Sequence, residues 1–96
     1  MELYKTLHQQ RDEIIRVANR YRAVNVRLFG SVVRGEDTES SDIDLLVDFL
    51  PDASLLDQVA LIQDLSEKFQ RKVDVVSSRA LNPHLRDAIL EESTPL

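Results

Sequence analysis

Asp42 and Asp44 stand two residues apart in the run Ser41-Asp42-Ile43-Asp44-Leu45-Leu46-Val47. In an extended chain both carboxylates leave the same face, with Cα atoms roughly 6.5 Å apart. Two such groups can lean on one divalent cation or bridge two ions about 3.5–4 Å apart. Without a cation, like charges this close would push one pKa upward. Magnesium suits the pair because it takes a few carboxylates and completes its shell with water and substrate phosphate. Taken alone, Asp-x-Asp is equally the pattern of a strand whose polar face is simply wet. Asp74 adds a third acid, in Lys72-Val73-Asp74-Val75-Val76, a short strand pattern in which aspartate is disfavoured. If that strand neighbours the Asp42/Asp44 strand, Asp74 joins the same face, where it completes a metal site or accepts the proton of an attacking hydroxyl. Asp48 shares the parity but lies about 13 Å along the strand from Asp44, too far to share an ion.

The chain has two glycines, Gly30 and Gly35, and both fall in the loop Gly30-Ser31-Val32-Val33-Arg34-Gly35. Glycine permits positive φ and close backbone approach, which suits a loop folded around an anion. Ser31 supplies a hydroxyl, and the amides that start the next turn are unpaired donors, a combination suited to phosphate. An ordinary Gly-Ser turn has the same composition. The spacing imitates a Walker A loop, but Glu36 stands where that motif needs lysine and would repel phosphates. Arg34 could add charge to a phosphate grip, or serve as an exposed structural arginine.

These residues need elements to hold them. Leu3, Leu7, Ile14, Val17, Ala18 and Tyr21 recur at helical spacing, so residues 3–21 are expected to form one amphipathic helix. Val24, Val26 and Leu28 alternate with Asn25 and Arg27 as in a strand. Alternation returns over Asp42 to Phe49, with Ile43, Leu45, Val47 and Phe49 on one side and Asp42, Asp44, Leu46 and Asp48 on the other. Pro51 and Asp52 end that strand. Ser54, with Asp57 three residues on, is expected to cap a helix reaching about Gln70, its apolar face being Leu55, Val59, Ile62, Leu65 and Phe69. The strand at Lys72 to Val76 follows, then a helix from Asn82 as cap and Pro83 as first residue to about Glu92. The order α-β-(turn)-β-α-β-α predicts one α/β (α+β) domain over residues 1–96, a small mixed sheet with helices packed on it.

Composition narrows the function. Hydrophobic content of 43% with 30% charged residues is that of a folded protein. No apolar run is long enough to span a membrane and no signal-like segment is present, so a cytoplasmic location is expected. The lack of cysteine excludes thiolate metal sites and disulfides. The net charge of −5 argues against a general nucleic-acid binder. Glu36 to Asp52 carries seven acids and no base, a stretch able to hold a cation or to be a solvated acidic loop. His8 and His84 are isolated and read as ordinary surface or cap residues. Arg20, Arg22 and Arg27 form a basic group that fits a solvated helix end or a partner surface.

Gly30-Ser31, ten residues, then Asp42-Ile43-Asp44 is far more specific than its parts. With Arg27-Leu28-Phe29-Gly30-Ser31-Val32-Val33-Arg34-Gly35 and Ser41 to Val47, the chain closely resembles the minimal nucleotidyltransferases of the DNA polymerase β superfamily. The resemblance covers nearly the whole chain. It implies that Gly30 and Ser31 contact a nucleoside triphosphate, that Asp42 and Asp44 hold magnesium (two ions), and that Asp74 completes the triad. Val33 departs from the small alanine that many relatives place before Arg-Gly. The implied reaction is nucleotidyl transfer from ATP to a hydroxyl. Larger relatives carry an extra acceptor-presenting domain, so the acceptor is expected on another subunit. Minimal members are typically the antitoxin half of a two-protein prokaryotic system and transfer AMP to a tyrosine of a helical HEPN-type toxin. Two alternatives stay open: an antitoxin that works by binding alone, and a transferase acting on a small molecule with a separate substrate-binding subunit.

Overall fold

The computed structural model describes residues 2–30, 33 and 42–96. Two short helices, α1 (Glu2–Gln9) and α2 (Arg11–Arg20), lead into β1 (Ala23–Phe29); β2 (Ile43–Phe49), α3 (Leu55–Phe69) and β3 (Val73–Ser77) follow. A 3-10 turn (Ser78–Ala80), α4 (Pro83–Glu92) and a two-residue strand β4 (Thr94–Pro95) complete the order. The sheet order is β3-β2-β1-β4. β1 runs antiparallel to β2 and β4, while β2 and β3 are parallel, joined through α3 as parallel neighbours require. This is the mixed sheet with packed helices expected from the sequence.

One face of the sheet carries the main core. Ile43, Leu45 and Val47 from β2 and Val73 and Val75 from β3 pack with Leu7, Ile14 and Leu61 from the helices. Alternation therefore sends Asp44 and Asp74 to the opposite face. Leu46 points that way too, yet is only 1% exposed, so the second face is covered around its middle. It is tied down by polar contacts: Arg27 Nε donates to Ser93 Oγ at 2.6 Å, and the Ser78 hydroxyl donates to Asp48.

Four local expectations are corrected. The first helix is interrupted at Gln10 (φ −98°, ψ 17°), where residues 8–12 are all exposed and no packing holds the backbone straight. In β1 the register shifts between Val24 and Arg27, and Asn25 adopts φ +54°. This bulge puts Ala23, Val26 and Leu28 in the core and leaves Val24 out of it; the extra residue shifts the alternation. On α3 Leu65 is in the core with Ile62 and Phe69 packed against it, as expected, but Leu61 is buried while Leu55 and Val59 are exposed. The buried face is turned toward Leu61, and on that side Gln58 turns inward to donate to the Val75 carbonyl at 2.7 Å. β4 was not expected, because two residues containing a proline show no alternation.

The caps agree with the sequence. Ser54 N donates to Asp57 Oδ2 at 2.9 Å, and Asn82 Oδ1 accepts from His84 N at 2.9 Å. Two arginines of the basic group serve the fold. Arg22, itself at φ +64°, reaches Asp52 at 3.0 Å and Asp57 at 3.3 Å, and Arg27 binds Ser93. His8 Nδ1 lies 3.2 Å from the Leu96 carbonyl.

Asp48 is likewise structural. Hydrogen bonds from Ser78 and Asn25 hold its carboxyl below the usual range, the latter at 2.9 Å. A depressed folded-state pKa stabilises above the unfolded value, and that stabilisation is lost as pH falls through the folded pKa. Asp48→Ala is expected to cost about 1–2 kcal/mol at pH 7. Urea unfolding at pH 7 and pH 3 should show the difference shrinking at the lower pH.

Candidate active site

The sheet register brings the acids together. Asp44 is the direct partner of Asp74 across the parallel β2–β3 pair and of Phe29 across the antiparallel β1–β2 pair. Adjacent strands lie about 4.8 Å apart, so the carboxylates of Asp44 and Asp74 leave neighbouring positions on one face. Asp42 immediately precedes β2, one step of the same parity before Asp44. Asp42 and Asp44 are half-buried and Asp74 is exposed. Asp48, at the far end of β2, is engaged with Ser78 and Asn25 as described and takes no part.

Gly30 closes one side of this group. It sits just past β1 at φ +80°, a conformation that glycine adopts without the penalty of a Cβ. A Cβ built on it would lie 3.2 Å from Asp44 Cγ and inside contact distance of Oδ2. The backbone that opens the glycine loop therefore rests directly on the Asp44 carboxylate. Ser31, Arg34 and Gly35 lie outside the described residues. Val33 is packed against the core, so the larger side chain at this position has found apolar neighbours.

One member of the group escaped the sequence reading. Lys72 Nζ lies 3.7 Å from Asp42 Oδ2, and the Lys72 carbonyl accepts from Ile43 N at 2.9 Å. The signal was available in the parity: Lys72 precedes Asp74 by two residues, as Asp42 precedes Asp44.

Do these residues suit a divalent ion? Their donors are all carboxylate oxygens, the set that hard cations such as magnesium prefer. A cationic ammonium already stands beside Asp42. Among the described residues no group of three or more acidic, His or Cys side chains is placed to hold a metal ion.

Paired acids thus stand on one face of a small mixed α/β fold, with Gly30 resting against one of them. Comparison with known proteins gives its class. Residues 12–96 match the polymerase β nucleotidyltransferase family, and the chain belongs to that family of nucleotide-transferring enzymes. A Methanocaldococcus jannaschii protein named as a protein adenylyltransferase is 37% identical over 87 residues, spanning 91% of this chain and 94% of the relative. A solved minimal nucleotidyltransferase superposes with a TM-score of 0.87 at 44% identity, covering 96% of this chain and 94% of the other. A toxin–antitoxin structure containing MntA superposes with a TM-score of 0.72 at 25% identity, covering 90% of this chain and 70% of the other. Among the described residues no helix is long and apolar enough to cross a membrane.

Proposed function

We propose that this protein is a metal-dependent protein adenylyltransferase that acts as an antitoxin by transferring AMP from ATP to a tyrosine hydroxyl of a helical toxin partner. The observation that carries the chemistry is the meeting of Asp44 with Asp74 in register and with Gly30 at the loop mouth. The adenylyl donor and the protein acceptor follow from the relatives named above, and the toxin from the MntA complex.

Asp42, Asp44 and Asp74 would hold magnesium. Bound there, the cation supplies charge to offset that developing on the entering and leaving oxygens of an in-line displacement. In the transfer itself the acceptor oxygen attacks the α-phosphorus, a new P–O bond forms, and the bond to the β-phosphate breaks to release pyrophosphate. Asp74 is exposed where Asp42 and Asp44 are half-buried, so it is the acid open to a hydroxyl arriving from outside, and we assign it that proton. Gly30, Ser31 and Arg34 are assigned to the departing β- and γ-phosphates, through backbone amides, a hydroxyl donor and a guanidinium. We place this activity in the cytoplasm, with no direct nucleic-acid contact.

The test is to incubate the protein with ATP, magnesium and the product of the adjacent gene. We expect an AMP mass increment on a tyrosine of that product, and none when EDTA is present. No increment on the partner, with AMP appearing instead on a small molecule, would shift the reading to small-molecule transfer.

A further inference from the structure

The four charged positions at the start of β2 and β3 form two rows. Asp44 faces Asp74 in one. In the other, one step before the paired residues Ile43 and Val73, Asp42 faces Lys72 at 3.7 Å. Among the described residues, three acids and one cation thus share a patch, and the cation lies beside the acid at its outer end. The pair is open to water: the Lys72 side chain is 71% exposed and that of Asp42 45%. An exposed pair of this length is weak and readily exchanged. Its backbone is not loose, because the hydrogen bond from Ile43 N to the Lys72 carbonyl locks Lys72 against β2.

We propose that Lys72 is a positioning residue, a tethered cation that holds Asp42 when no divalent ion is present and yields it when one binds. The proposal rests on the assignment of Asp42 as a metal ligand. Its physical basis is competition. The ammonium and a divalent ion compete for the same negative charge on Asp42, and at equal distance the divalent ion is held more strongly. In the metal-free protein Lys72 offsets part of the repulsion among the acids, so the site stays formed, at the cost of weaker ion binding.

The experiment is a magnesium titration without nucleotide, followed by NMR on carboxyl-labelled protein, for the wild type, Lys72→Ala and Lys72→Arg. We expect Lys72→Ala to bind magnesium roughly two- to fivefold more tightly, the range set by an exposed ion pair, and Lys72→Arg to match the wild type. The Asp42 carboxyl resonance should differ between wild type and Lys72→Ala in the absence of metal and coincide at saturation. Equal affinities, or a resonance difference that persists at saturation, would overturn the role of Lys72 while leaving the metal site standing. Absence of magnesium binding in all three proteins would remove both the metal site and the proposal. Matching far-ultraviolet circular dichroism of the three confirms that folding is not the variable.

Discussion

Replacing Asp42 and Asp44 together by asparagine is expected to lower AMP transfer by about a thousandfold or more and to leave the fold intact. Charge stabilisation by a bound metal is worth several kcal/mol, and each 1.36 kcal/mol is about tenfold in rate. Asparagine keeps the shape and one acceptor oxygen, so the loss falls on charge. Stability should move little. Asp42 lies outside the strand and is half-exposed, and substitutions of that kind usually change stability by within about 0.5 kcal/mol. Asp44 stands in register with Asp74, like charges directly opposite are destabilising, and asparagine keeps an acceptor oxygen for the contact that Asp44 makes. The measurements are AMP incorporation by mass spectrometry and unfolding in urea. The same double variant separates transfer from covering: if it still neutralises the partner at wild-type potency, the antitoxin works by binding and the acids are not its means.

The part of the site read most directly from sequence was the part set by parity. The side chains of Asp42, Asp44 and Asp74 needed only alternation along two strands and a guess that those strands are neighbours, and the register supplies the pairing of Asp44 with Asp74. Parity places Lys72 on the face of Asp74, but a lysine at a strand end has an obvious alternative in solvent, and the packing of β3 on β2 shows that it meets Asp42. The β1 bulge at Asn25 was beyond periodicity, since Val24, Asn25, Val26, Arg27 and Leu28 alternate correctly on paper. The exposure of Leu55 and Val59 on α3 has a related cause. The first half of that helix, with Leu55, Leu56, Val59 and Leu61, offers more than one stripe, and the choice of Leu61 belongs to the sheet that receives it. Exposed Leu55 and Leu56 are the residue of that choice. β4 is held by two register pairs to β1 and by the bond from Leu96 N to the Val26 carbonyl, contacts that no local pattern announces.

Gly30→Ala should be as damaging to the site as loss of an acid, and for a different reason. The backbone at φ +80° costs an L-residue roughly 1–2 kcal/mol. The added methyl would also fall against the Asp44 carboxylate, 3.2 Å from Cγ, so Asp44 must rotate away or the loop must lift. Either movement changes how Gly30 meets the acids, and in the proposed site a displacement of about 1 Å is enough to cost about a hundredfold in rate. The two costs can be told apart by a double-mutant cycle. Asp44→Ala removes the group that the methyl meets while leaving the backbone requirement in place. In that background Gly30→Ala should cost only the roughly 1–2 kcal/mol of the backbone, against about 1 kcal/mol more in the wild-type background. Urea unfolding of the four proteins reads the difference. Strict additivity would mean that Gly30 is needed only for its own dihedral angles, and that the loop and the Asp44 carboxylate are not in the contact on which the site is built.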